Sequence, residues 1–238
     1  MQHAAPGAGT EWGDLLSAVA EQLKVPLTLI SRQAELGELT GQAQDTLLMR
    51  TQADAALQLV DSYLLGLELL RGQTSLELEP VSVSSTLVDA AHTLSNFAKQ
   101  YDVAVEVVVG GKYEPVMAHA RGLRAALLSL GFGMVESLAA AESAKLRTLK
   151  LATHKTPQGL ITGVYGADGL QAGQWRAALA LMGHAHQPLT GLGTGTGAGL
   201  FVADTIFKGM ASQLRVGSWQ RQRGLAAALK PSQQLQFV

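Results

Sequence analysis

Apolar residues recur at steps of three and four through Leu15, Leu16, Val19, Leu23, Leu27 and Ile30. The same period returns at Leu47, Leu48, Ala55, Leu59, Leu64 and Leu67. This doubled pattern constrains the chain more than any other feature, because apolar residues so spaced line one face of a helix. Gly37 to Gln44 reads as the turn between the two stretches. Arg71-Gly72-Gln73 is a helix stop, a basic residue followed by glycine. The expectation is a hairpin of two long helices, the first from near Glu11 and the second from about Ala43 to Leu70. Pro26 falls inside the first period without a phase break, so it reads as a kink; the alternative is that it ends one helix and starts another. Each helix has more apolar surface than one partner covers. Two chains pairing into a four-helix bundle would bury the remainder.

Beyond Leu70 the period changes. Ser75 to Leu78 alternates as a short strand, and Ser84 to Gln100 is helical, with Ser82, Ser84 or Ser85 as its N-cap. Val103 to Val109 is a valine-rich strand followed by the turn Gly110-Gly111, and Val116 to Ala118 is a short strand. Gly122 to Ala140 is a long helix. Leu146 to Thr153 and Leu160 to Tyr165 read as paired strands around Pro157-Gln158-Gly159. Gln174 to Met182 reads as a short helix. A glycine-rich loop, Gly191 to Gly199, leads into a helix from Leu200 to Lys208, and Gln213 to Val216 and Leu225 to Leu229 close the chain as strands. The fold class expected is α+β: a helical hairpin over residues 11–72, then a mixed α/β layer domain over 73–238.

Composition removes several functions. Only 16% of residues are charged and the formal net charge is -1, which leaves no clustered cationic surface for nucleic acid. There is no cysteine, so thiolate nucleophiles, thiolate metal sites and disulfides are absent, in keeping with a reducing, cytoplasmic setting. No run of about 20 apolar residues marks a membrane span, and Met1 to Thr10 has no apolar segment of a signal peptide. His184 and His186 stand two apart, but zinc needs two further ligands and no acidic residue lies close in sequence; the pair reads as part of a polar loop, and no metal site is expected. P-loop, nucleophile-elbow and H-E-x-x-H motifs are missing.

Four places resemble the cytoplasmic core of a sensor histidine kinase. The first is Glu21-Gln22-Leu23-Lys24-Val25-Pro26-Leu27, similar to the phosphoacceptor motif with Glu21 at the histidine's position. The second is the junction Glu79-Pro80-Val81. The third is the helix from Arg121 through Leu127, Ser129 and Gly133 to Met134, similar to the family helix that carries two asparagines. The fourth is Gly191 to Leu200, similar to the glycine box that closes the ATP lid. The resemblance covers residues from about Trp12 to Val238. It implies a dimerisation hairpin followed by a Bergerat-type α/β sandwich that binds ATP or ADP with Mg²⁺. Nucleotide-binding candidates are then Ser129, Asp168, Gly169, Gly195, Gly197 and Gly199, the glycines offering backbone N–H groups at a helix start.

The sequence departs from the family pattern at each chemical step. Glu21 cannot form the phosphoramidate that a histidine stores. The family's asparagines fall on Ser129 and Gly133, and glycine has no side chain to hold Mg²⁺. Strict alignment puts Gly166 at the adenine-binding aspartate; only a two-residue slip lets Asp168 serve. Gln22 and Val25 occupy the positions that position water in phosphatase members. His119 lies where members often carry Asp. The resulting expectation is a homodimeric pseudokinase of two-component type that lacks catalysis and acts by contact with a response regulator or another kinase. The docking face would be Glu21 to Leu27 with Ala55 to Leu65. The alternatives are a nucleotide-responsive switch and a residual ATP-dependent kinase with an acceptor on a partner.

Overall fold

The computed structural model describes residues 23, 26–37, 46–140, 147–157, 159–166 and 196–232. Residue 23 is helical and residues 26–37 form a helix, α1. Helix α2 is Thr46–Leu70. Strand β1, Glu79–Val81, leads into helix α3, Val83–Ala98, extended by a 3₁₀ turn over Lys99–Tyr101. Strands β2, Val103–Val109, and β3, Val116–Ala118, precede helix α4, Ala120–Ala140. The hairpin β4, Arg147–Thr156, and β5, Gly159–Gly166, comes next. Helix α5, Thr196–Gly209, and the hairpin β6, Leu214–Trp219, and β7, Gln222–Leu229, complete the described chain. This mixed helix-and-sheet architecture is the α+β class expected from the sequence.

The main sheet has the order β2-β4-β5-β7-β6, with β2 parallel to β4 and the other neighbours antiparallel. Its inner face carries Leu149, Leu151, Leu160, Val164, Leu225, Ala227 and Leu229, all buried. Helices α3, α4 and α5 lie on this face. Helix α4 is the centre of the layer and is apolar on nearly every side. Its stretch Ala120–Ala139 has the length and apolarity of a membrane span, but most of it is buried in this core. An all-round apolar helix is what a fully enclosed position requires. Gly131 lets α3 approach α4: a Cβ there would stand 2.7 Å from Leu94 Cδ2.

The outer face holds a smaller cluster of Ala152, Tyr165 and Ala226, flanked by Trp219. Tyr165 lies across Gly224 of β7, where a Cβ would stand 2.9 Å from the tyrosine Cδ1. The ring thus covers a strand position that has no side chain of its own.

Several boundaries differ from the sequence expectation. Ser75 to Leu78 is not a strand; the strand is Glu79–Val81, because its register is set by pairing with β3 (Glu79 opposite Ala118, Val81 opposite Val116). A two-stranded edge pair tolerates Pro80, which has no N–H to donate. The α3 cap is Ser82, whose hydroxyl accepts from the Ser85 N–H at 3.4 Å. Helix α5 starts at Thr196 and so takes in Gly197 and Gly199, which the sequence placed in a loop. Strands β6 and β7 join through Gln220 and Arg221, with φ of 47° and 64°. Two left-handed residues between paired strands form the tight hairpin turn that normally calls on Asn-Gly. Replacing Arg221 with glycine removes a left-handed side chain and is expected to raise stability by about 0.5–1 kcal/mol. Thermal denaturation checks this; an unchanged or lower midpoint refutes it.

Candidate functional site

Helix α4 carries Ser129 and the start of α5 carries Gly197 and Gly199, three of the candidates named from sequence. Ser129 is buried in the middle of α4 and its Oγ has no hydrogen-bond partner. One turn on, the carbonyl of Gly133 accepts from the Ser137 hydroxyl at 2.9 Å. Glu136 follows on the same side of the helix. Burial pushes its carboxyl up to about 7. Tyr63 of α2 and Tyr101 after α3 both lie within electrostatic reach of this carboxyl. Burial first, and the Glu136 charge second, raise both hydroxyls, that of Tyr101 to about 12. The Tyr101 hydroxyl has no hydrogen-bond partner. Its ring packs 5.0 Å from Phe97, which meets Phe132 of α4 edge-on at 4.9 Å.

At its N-terminus α4 is capped by His119. The Gly122 N–H donates to His119 Nδ1 at 3.0 Å, and the Leu123 N–H donates to the His119 carbonyl at 2.8 Å. The imidazole therefore does the work of the Asp or Ser side chain usual at such a cap. Arg124, one turn further, donates to Gln58 Oε1 of α2 and to Thr93 Oγ1 of α3, each at 3.1 Å.

Helix α2 is bound into this assembly. Ala55, Leu59 and Tyr63 belong to the same buried cluster as Leu123, Leu127, Phe132, Val202 and Ile206. Gly66 admits Val202 of α5, since a Cβ there would stand 3.3 Å from Val202 Cγ1. Ala55 and Leu59 were expected on a face docking a partner; they are instead consumed by the chain's own core. Among the described residues, α2 leaves Leu57, at 62%, and Leu64, at 52%, exposed seven residues apart on the other side, with Leu70 exposed at its end. In the hairpin motif, Leu23 packs against the core and Pro26 is buried, while Leu27 is exposed.

Gln52 of α2 is fully buried and neither polar atom of its amide has a hydrogen-bond partner. An unmet buried amide costs on the order of 1–3 kcal/mol. Gln52→Met, of similar volume, is expected to raise unfolding free energy by about 1–2 kcal/mol. Urea unfolding measures it, and a loss of stability would show that the amide is serving a need the fold has.

Of the candidates named from sequence, Ser129, Gly197 and Gly199 lie on α4 and on the first turn of α5, two helices packed against each other. Glu21, Asp168, Gly169 and Gly195 lie outside the described residues, as do His184 and His186. Sequence reasoning missed Glu136, Tyr63 and Tyr101. The only signal for Glu136 was a lone acidic residue inside an apolar helix; nothing in the sequence linked the two tyrosines to it.

No protein-family model matches the sequence, and no curated protein matches it. Solved structures do. The histidine kinase AdeS of Acinetobacter baumannii aligns over 89% of this chain and 98% of its own, with a TM-score of 0.53 and 15% identity. A bacterial phosphotransferase aligns over 94% and 98%, with a TM-score of 0.53 and 11% identity. Full-length ShkA, solved in complex with AMPPNP, gives a TM-score of 0.56 and 18% identity over 92% of this chain. The match spans 46% of ShkA's own length. At such identities the likeness is one of architecture. The chain has the fold of a histidine-kinase cytoplasmic core.

Proposed function

We infer that this chain is a histidine-kinase-like regulatory protein of two-component type, working by protein–protein contact and transferring no phosphoryl group. The observation that carries this reading is helix α4. A kinase of this fold needs side-chain amides there to hold Mg²⁺ against phosphates. This helix offers the hydroxyl of Ser129, buried and unpartnered, and at Gly133 no side chain at all. Glu21 at the acceptor position adds a second reason, because a carboxylate stores no phosphoramidate. Residues 11–72 then serve as a dimerisation hairpin and 73–238 as an ATPase-like domain retained for shape, in a cytoplasmic homodimer. Exposed Leu57 and Leu64, with Leu27 and Leu36 of α1, supply the apolar surface for the second copy. The partner is a response regulator or a kinase.

Two measurements test this. Incubation with γ-labelled ATP and Mg²⁺ is expected to leave the chain unlabelled, and label on the polypeptide refutes the reading. Sedimentation equilibrium is expected to show a dimer that Leu57→Lys with Leu64→Lys converts to monomer. An unaltered dimer places the interface elsewhere.

One observation favours a second reading, a nucleotide-responsive switch. The glycine run from Gly191 ends in α5, whose first turn offers backbone N–H groups to an anion. Asp168, Gly169, Gly195, Gly197 and Gly199 would then form the site for ATP or ADP, with or without Mg²⁺. Calorimetry decides: saturable heat with ATP supports the switch, and none at millimolar nucleotide removes it.

A further inference from the structure

At the C-terminal end of α5, beside strand β6, lies an open cleft of about 590 Å³, lined by Lys208, Ala211, Ser212, Gln213, Arg215, Ala228 and Lys230. Strand β6 is the edge of the main sheet, so alternate residues present backbone N–H and C=O groups away from β7. The cleft lies at the opposite end of α5 from the glycine run, and neither functional reading above uses it.

Its charge is unbalanced. Lys208 Nζ pairs with Asp204 Oδ2 at 2.6 Å, so those two charges cancel. Arg215 donates to the neutral Gln213 Oε1 at 3.4 Å. Among the described residues no carboxylate pairs with Arg215 or Lys230. The C-terminal end of α5 contributes roughly half a negative charge, too little to offset two cations. In a chain whose net charge is -1, two uncompensated cations sharing one cleft form a local positive field. The Ser212 hydroxyl donates to the Ala228 carbonyl at 2.8 Å, which holds the base of the cleft to β7. A concave site of roughly 300–1,000 Å³ suits a small molecule. A guanidinium fork beside a flexible ammonium matches tetrahedral phosphoryl oxygens.

We propose that this cleft binds a small phosphoryl-bearing anion through Arg215 and Lys230. The probe is inorganic pyrophosphate, titrated calorimetrically into the full chain at fixed ionic strength, with inorganic phosphate and citrate as parallel arms. Pyrophosphate is expected to saturate a single site, ahead of phosphate and citrate. Arg215→Gln combined with Lys230→Gln is expected to weaken it at least about tenfold. Both side chains are exposed, so the variant should keep the wild-type circular dichroism and melting midpoint. Amide chemical shifts should move at Gln213, Arg215 and Lys230. The proposal falls if pyrophosphate gives no saturable heat at millimolar concentration or if the double variant binds as tightly as wild type. It also falls if citrate binds equally well or if the shifts map to the glycine run from Gly191. These results are independent of the labelling and sedimentation results, so either conclusion can fail alone.

Discussion

Phe132→Ala is expected to cost about 3–5 kcal/mol of unfolding free energy. Phe132 is fully buried on α4, and its ring meets Phe97 of α3 edge-on at 4.9 Å. Phe97 in turn packs 5.0 Å from Tyr101. Truncation would remove the transfer energy of the ring and leave a cavity beside Phe97. The gap would close poorly, because α3 and α4 already touch where Gly131 admits Leu94. Urea unfolding is the measurement. A loss under about 1.5 kcal/mol would mean that the helices close over the gap and that the layer is softer than its packing implies.

The second large effect depends on pH. The Glu136 carboxyl is raised from 4.5 to about 7 by burial alone. In that window the folded protein holds a proton that the unfolded chain has released. The contribution of this carboxyl to stability is therefore fully present below pH 4.5, is lost as pH rises, and levels off above about 7. The penalty at pH 8 is on the order of 2–3 kcal/mol. Glu136→Gln keeps the shape and removes the ionisation. It is expected to stabilise the protein by about that amount at pH 8 and to leave it nearly unchanged at pH 4.5. Unfolding at several pH values checks both the size and the sign. A glutamine variant that is less stable at pH 8 would show that the carboxylate has a cationic partner and that burial is not the governing cause. Tyr63 and Tyr101 should titrate at lower pH in the same variant, because the negative charge that helps raise them is gone.

Both predictions sit on α4, and this bears on function. A helix that must organise nucleotide and metal carries polar side chains aimed outward. In this chain Phe132, Met134, Val135 and Leu138 of the same stretch are buried, Ser129 is buried without a hydrogen-bond partner, and the half-buried Glu136 carboxyl is raised to about 7.

Much of the architecture was legible because it is carried by local periodicity. The step of three and four in α2 and the valine run of β2 each specify an element whose type does not depend on its neighbours. Boundaries were less legible where pairing decides them. Glu79–Val81 is a strand only because Val116–Ala118 lies opposite, and Gln220-Arg221 turns only because β6 and β7 hold its ends. The start of α5 at Thr196 was hidden because glycine has low helix propensity, which packing against α4 overrides.

The amino-acid sequence by itself determined that this chain would combine long helices with an α/β layer, and that a carboxylate stands at position 21 and no side chain at position 133. Those are properties of residue type and spacing. Only the tertiary structure decided what the faces would meet. It turned Ala55 and Leu59 inward to the chain's own core and left Leu57 and Leu64 outside. It half-buried Glu136 within electrostatic reach of two tyrosines, and it brought Arg215 and Lys230 to one cleft. The reason is that helical period defines a face, while the partner of that face, and with it the dielectric around every charge, is set by contacts between residues far apart in the chain.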